Sequence, residues 1–399
     1  MKTSSNHVLY LSYDGLTDPL GQSQILPYLA GLTALGYIIT IISFEKKDRL
    51  KTSYQKIRQY CIENNLLWEP LIYHKSPPVL STLYDLIALR RKTRKLCHAG
   101  NFSIVHCRSY ITALIGLRLK NKYGVRFIFD MRGFWADERV EGGMWNLQNP
   151  FYKVIYKYFK KKEMEFLEKA DQIISLTENA KIEIQSWNLK IGPIAVIPTC
   201  VDLELFDPVK ISEDSKVNLR KKLGIREDDF VLLYLGSLGT WYMMEEMLVF
   251  FERLKLEKPT AKFLVVSQDQ FALSNVRLRE SIIVTTANRQ EVPLFISLAS
   301  ASIMFIKPTF SKKASSATKL AEILAMNIPI FVNEGWGDLE SIFREIPQFI
   351  VHLDQLKDIN FEQLEISKSE LLRDLAQRYF NLQDGINKYS KVYQNMIQT

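Results

Sequence analysis

Twelve short apolar runs, separated by stretches with helical periodicity, constrain this chain more than any other feature. Six lie in the first half, at residues 8–13, 38–44, 104–107, 126–131, 172–177 and 195–200. Six more follow at 230–237, 261–268, 281–287, 301–307, 328–333 and 349–353. Their hydrophobicity is continuous rather than alternating, as in strands covered on both faces, and the helical stretches between them imply parallel βαβ units. A polar break over residues 202–229, holding DPVKISEDSK and the acidic REDDF, divides the two sets. The expectation is an α/β protein of two Rossmann-like domains, residues 1–197 and 208–375, with a linker near residues 198–207. Residues 371–399 read as helical, with Ile386, Tyr389, Val392, Tyr393 and Met396 on one stripe. The segment 376–399 is expected to pack back on the first domain.

Open parallel sheets bind ligands beyond the carboxyl ends of their strands, so the loops after the runs are where chemistry is sought. After the first run comes DGLTDPLGQSQ (14–24), where Gly21 permits close backbone approach and Gln22 and Ser23 offer donors. It contains no GxGxxG, so a dinucleotide fingerprint is absent. HCRSY (106–110) follows the third run, and DMRGFWADERVEGG (130–143) follows the fourth. The latter gathers Asp130, Arg132, Trp135, Asp137, Glu138 and Arg139, groups suited to a sugar or phosphate. A surface ion-pair cluster is the plainer account of the same residues. In the second half, LGSLGTWY (235–242) brings Gly236, Ser237 and Gly239 together with Trp241 and Tyr242. SQDQ (267–270) and ANRQEV (287–292) are where a nucleotide base would rest.

Residues 315–329, SSATKLAEILAMNIP, hold the densest signal. Ser315, Ser316 and Thr318 are N-cap types ahead of a helix expected over 316–326. Lys319 then stands in or beside the first turn, where the helix dipole disfavours a cation unless an anion is bound there. Glu322 lies one turn on, on the same face. A nucleotide diphosphate with its ribose hydroxyls would suit this set. So would a capped amphipathic helix with an internal ion pair, and the residues alone leave both open.

A net charge of +8 favours acidic partners without choosing among nucleotides, nucleic acid and an anionic membrane. Two stretches sharpen that. LYDLIALRRKTRK (83–95) and NPFYKVIYKYFKKK (149–162) mix cations with leucines and aromatics in the manner of interfacial helices. No apolar run of 18 residues exists, and the four cysteines lack metal or disulfide spacing. With no HExxH, DxD or Cys/His cluster, no metal site is expected. The start reads as a short tail rather than an export signal, which points to the cytoplasm.

With these loops assembled, the chain resembles the retaining GT-B glycosyltransferases of family 4 over nearly its whole length. DGLTDPLGQSQILPYLAGLTALGYIITIISF is similar to their N-terminal glycine loop, helix and second strand. AVIPTCVDLELFDP is similar to their hinge, with Thr199-Cys200 in place of Asn-Gly, and SSATKLAEILAMNIPIF to their donor helix. The resemblance implies two Rossmann-like domains facing across a deep cleft. Glu322 matches the family's ribose-binding carboxylate, while its partner one motif earlier falls on Ala314. The diphosphate-clamping Arg falls on Ser237, which leaves Lys319, or Arg132, as the replacement. Arg132 itself falls where many members have histidine.

The implied reaction moves a sugar from a nucleoside-diphosphate sugar, with retention and without metal or other cofactor. Ser316, Thr318, Lys319 and the Gly236–Gly239 amides would hold the donor. A polyprenyl-diphosphate-linked saccharide would enter near Gly21, Arg132 and Glu138, at the inner face of the cytoplasmic membrane, in surface polysaccharide assembly. Nucleic acid is not an expected partner. A sugar-nucleotide 2-epimerase and a non-catalytic nucleotide-sugar or membrane-binding scaffold of the same fold are the alternatives.

Overall fold

The computed structural model describes residues 6–270, 276–357, 359, 361 and 370–398. The chain divides into two compact units, Met1–Pro198 with Leu382–Thr399, and Thr199–Asn381.

The first unit is built on seven parallel strands: β1 (His7–Ser12), β2 (Ile38–Glu45), β3 (Leu66–Ile72), β4 (Ile104–Arg108), β5 (Arg126–Asp130), β6 (Gln172–Ser175) and β7 (Ile194–Val196). They lie in the order β3-β2-β1-β4-β5-β6-β7, with Leu9 opposite Thr40 on one side and Val105 on the other. Every residue of β4 is buried, which is what a continuous apolar run between two helical layers requires. β3 coincides with none of the apolar runs. Its sequence, LLWEPLI, carries Glu69 and Pro70, and it occupies the sheet edge, where proline removes no needed ladder donor.

In the second unit six parallel strands, β8 (Val231–Leu235), β9 (Lys262–Val266), β10 (Ile282–Thr285), β11 (Ala301–Met304), β12 (Ile330–Asn333) and β13 (Ile350–Val351), are ordered β10-β9-β8-β11-β12-β13. All six coincide with apolar runs. In each sheet the order reverses beside the unit's first strand, between β1 and β4 and between β8 and β11. Crevices open outside the strand ends at such reversals.

The helical tail is two helices, Glu370–Phe380 and Leu382–Gln398, one in each unit. In the second unit Arg373 donates to the carbonyls of Ala325, at 2.5 Å, and Phe206, at 2.8 Å. In the first unit Leu382–Gln398 buries Ile386, Tyr389, Val392, Tyr393 and Met396. A Cβ on Gly31 would stand 2.3 Å from Ile386 Cδ1, so glycine is what lets helix Leu26–Ala34 accept this partner.

Candidate active site

In the second unit, helix Thr318–Ala325 starts two residues later than its sequence suggests. Ala317 is the N-cap and no side chain caps it. Ser316 is engaged elsewhere: its Oγ accepts the Thr199 amide at 3.0 Å, and its carbonyl accepts the Thr199 hydroxyl at 2.7 Å. The Ser316 hydroxyl, expected as a cap, instead fastens the start of the second unit to the segment ahead of this helix.

Glu322 is wholly buried in this helix, and two cations converge on it. Lys319 Nζ donates to one carboxylate oxygen at 2.8 Å and Arg289 Nη1 to the other at 3.0 Å. Their side chains remain 29% and 21% exposed, so the cationic edge of the cluster meets solvent while the anion does not. One charge of −1 and two of +1 leave a formal surplus of +1, carried on the solvent-facing edge of a buried carboxylate. Arg289 comes from the loop after β10, and its guanidinium also lies 5.5 Å from the Phe206 ring centroid. Sequence reasoning assigned that loop only to a base. The available signal was a cation in the loop that follows a predicted strand.

The glycine turn after β8 has Gly236 at φ +151°, a conformation that favours glycine. Its amides are partly committed. Gly236 N–H donates to the Val266 carbonyl at 3.1 Å and Leu238 N–H to Asp269 at 2.8 Å, while Tyr234 donates to the Ser237 carbonyl. Ser237 and Gly239 are exposed in the turn. One face of Trp241 is occupied: the ammonium of the buried Lys312 lies 3.7 Å from its ring centroid. Thr318 is half-buried at the first helical position, and Ala314 is buried.

In the first unit, Gly21 is buried in helix Pro19–Gln24, and a Cβ there would stand 2.1 Å from the Gly15 carbonyl oxygen. The loop before that helix is held by Glu45, a wholly buried carboxylate at the end of β2. It accepts the amides of Leu16, at 2.8 Å, and Thr17, at 3.0 Å, with the hydroxyls of Thr17 and Ser43 each at 2.5 Å. Gln22 donates to the Thr17 carbonyl and Ser23 to that of Pro19. These donors thus serve the loop itself.

Past β5, Arg132 has φ +57°, an uncommon conformation for a non-glycine residue and one that clusters at functional sites. Its Nη1 lies 3.8 Å from Asp130 Oδ1, an oxygen with no hydrogen-bond partner in a wholly buried carboxylate. Asp130 Oδ2 accepts the Tyr389 hydroxyl at 3.3 Å and faces His106 Nε2 at 3.4 Å. Burial pushes the Asp130 carboxyl up, but Arg132, His106 and Arg108 outweigh it and hold it below its ordinary value. Burial likewise drives His106 down. The buried Arg108 reaches Asp14 at 3.1 Å across the β1–β4 reversal.

Much of the rest of the 130–143 stretch is structural. Asp137 accepts Tyr156 at 2.8 Å and Lys160 at 2.7 Å, tying helix Trp135–Glu141 to helix Pro150–Lys169. Trp135 stacks on Tyr110, with Arg139 lying 5.0 Å from its ring centroid. Glu138 is half-buried in the same short helix. Both basic stretches fall on helix surfaces. Leu83, Tyr84 and Ile87 of helix Leu80–Ala99 are exposed, as are Phe151, Val154 and Tyr158 of helix Pro150–Lys169. Among the described residues no helix is long and apolar enough to cross a membrane.

Against this geometry stand the likenesses to known proteins. Residues 25–205 match the family model Glycosyltransferase Family 4. EpsD of Bacillus subtilis, named a glycosyltransferase, is 26% identical over 157 residues, 38% of each chain. The chain thus spans 38% of the length of the curated relatives it matches. A glycosyltransferase from Rickettsia africae superposes with a TM-score of 0.71 at 16% identity, covering 98% of this chain and 99% of that one. HepE of Anabaena, solved with UDP-glucose, gives 0.67 at 12% identity over 98% and 99%. The fold is therefore that of the GT-B glycosyltransferases, two parallel-sheet α/β domains. The Family 4 match takes in Glu45, Arg108, Asp130, Arg132 and Glu138, whereas Arg289, Lys319 and Glu322 lie beyond it.

Proposed function

We propose that this protein transfers a sugar from a nucleoside-diphosphate sugar, bound by the second unit, to a lipid-linked saccharide bound by the first. The observation that carries the reading is the Arg289–Glu322–Lys319 cluster, a buried carboxylate with one positive charge in excess at the carboxyl end of the sheet. A diphosphate supplies the missing anion. Arg289 and Lys319 then neutralise the charge that grows on the leaving diphosphate as the bond to the sugar breaks. Glu322, relieved of part of its pairing, accepts hydrogen bonds from the ribose hydroxyls. HepE, whose fold this chain shares, was solved with UDP-glucose, which supports a nucleotide-sugar donor. Arg132 and Glu138, past β5 in the first unit, are the residues assigned to the acceptor, and attack from the leaving-group face retains the anomeric configuration. The exposed basic and apolar helices favour an acceptor presented at an anionic membrane, as in surface polysaccharide assembly.

Incubation with a panel of nucleotide sugars and a lipid extract tests this. A glycolipid enlarged by one sugar is expected, and Lys319→Met or Arg289→Met should abolish most of it. An epimerised free nucleotide sugar, or binding without turnover, would overturn the reading.

A further inference from the structure

Past β3 the chain runs through Tyr73 and His74 towards helix Leu80–Ala99. Asp85, on that helix and wholly buried, turns its carboxylate back on the loop. Oδ2 accepts the Tyr13 hydroxyl at 2.9 Å and the His74 amide at 3.2 Å. Oδ1 meets His74 Nδ1 at 2.6 Å. A carboxylate at that distance fixes the proton of the neutral imidazole on Nδ1, so the lone pair belongs to Nε2. The ring is also set from the side by Tyr84, edge-on with centroids 4.9 Å apart. Its side chain stays 36% exposed. The His74 amide already ties this loop to the helix, as the Tyr13 hydroxyl ties the loop after β1 to it. The third bond does something further: it presents an oriented hydrogen-bond acceptor at the surface.

Beside it lies an apolar stripe. Leu80, Leu83, Tyr84 and Ile87 are spaced i, i+3, i+4 and i+7, so they share one helix face, and each is at least half exposed. Tyr84 belongs to both features. One turn on, the helix becomes basic and exposed at Arg90, Arg91, Arg94 and Lys95. A polar acceptor fixed beside an apolar strip, whose helix continues as a cationic face, matches an amphiphile delivered from an anionic surface.

We propose that His74, oriented by Asp85, binds a hydroxyl of a saccharide head group, and that Leu80, Leu83, Tyr84 and Ile87 cover the hydrocarbon tail attached to it. His74 Nε2 accepts the hydroxyl hydrogen, and the Tyr84 ring offers the sugar a flat apolar wall. The inference deepens the transferase reading by naming the residues that would hold its acceptor, and it rests on that reading for the acceptor role.

The experiment titrates the full-length protein with an alkyl glucoside below its micelle-forming concentration, following the His74 ring resonances by NMR. A saturable shift at His74 is expected. His74→Ala should weaken binding about tenfold or less, the worth of one hydrogen bond. Leu83→Asp, a surface change, should weaken it by a similar factor, and free glucose should bind far more weakly than the glucoside. His74→Gln, whose amide carbonyl also accepts a hydroxyl, should recover part of the loss. Circular dichroism checks each variant's fold. Should His74→Ala fail to fold, His74→Gln and Leu83→Asp decide. Equal binding by wild type and Leu83→Asp, or saturation without a shift at His74, would overturn the proposal. Binding at His74 without sugar transfer from any nucleotide sugar would sink the transferase reading and leave the site standing. Transfer whose acceptor KM is unchanged in His74→Ala would do the reverse.

Discussion

At the carboxyl end of its sheet the second unit surrounds one buried carboxylate, Glu322, with two cations. At the same end of the first unit, Glu45 is equally buried but is met by two backbone amides and two hydroxyls. Both arrangements compensate a desolvated anion, and they leave different remainders. Dipoles satisfy Glu45 and keep no charge in reserve, so the glycine loop it holds is fixed and finished. Two cations meet the one carboxylate of Glu322, so its surroundings would favour another anion, as the proposed diphosphate site requires. The sign of what remains after a buried charge is paired, rather than the presence of the charge, separates a scaffold from a receptor.

The largest expected effect would break that contrast outright. Lys319→Met and Arg289→Met should each lower sugar transfer by roughly 10²–10³-fold, the usual cost of losing one charge-stabilising donor. Wild-type rates in a labelled-sugar assay would show that the surplus charge has no ligand. Next, Glu45→Ala should destabilise the first unit by about 3 kcal/mol, since two amides and two hydroxyls lose an ionised acceptor together. Its denaturation midpoint should drop without a matching change in the second unit's.

A smaller effect is set by pH. Burial lowers His106 from its ordinary 6.5, so the unfolded chain takes up a proton there before the folded one does. That stability is whole above pH 6.5 and is lost as pH falls towards the folded value, at most about 1.4 kcal/mol per pH unit. Asp130, held low, gives way only in stronger acid. His352, on the surface, is the second unit's one histidine. Melting curves between pH 7 and 5 should therefore move the first unit more, and His106→Gln should flatten the difference. Smallest is the membrane term. Arg91→Ser should weaken binding to anionic vesicles by about 1 kcal/mol at low salt, with the effect fading as salt rises. An unchanged flotation profile would remove that face from the account.

The inner strands were legible because both of their sides are covered, which leaves a continuous apolar signature that the edge strand β3 lacks. Lys319 and Glu322 were legible because they sit one turn apart on a single helix. Arg289 was not, since it lies 33 residues from Glu322 and meets it only through the fold. His74 and Asp85 escaped for a related reason. They are 11 residues apart, on a loop and a helix, and no periodicity links them. Hydroxyls misled in the opposite direction. Ser316 reads as a cap, yet Thr199, 117 residues earlier, claims it. Local chemistry states what a side chain can bond, and topology decides which of the possible partners arrives.

Helix Leu382–Gln398 completes the first unit, with Tyr393 on His106 and Ser390 on the Tyr37 hydroxyl, although all of Thr199–Asn381 intervenes in the chain. During translation the ribosome therefore delivers an uninterrupted second unit before it delivers the piece that closes the first. The half made first is therefore the one that waits longest for its last apolar contacts, those of Ile386, Tyr389, Val392, Tyr393 and Met396.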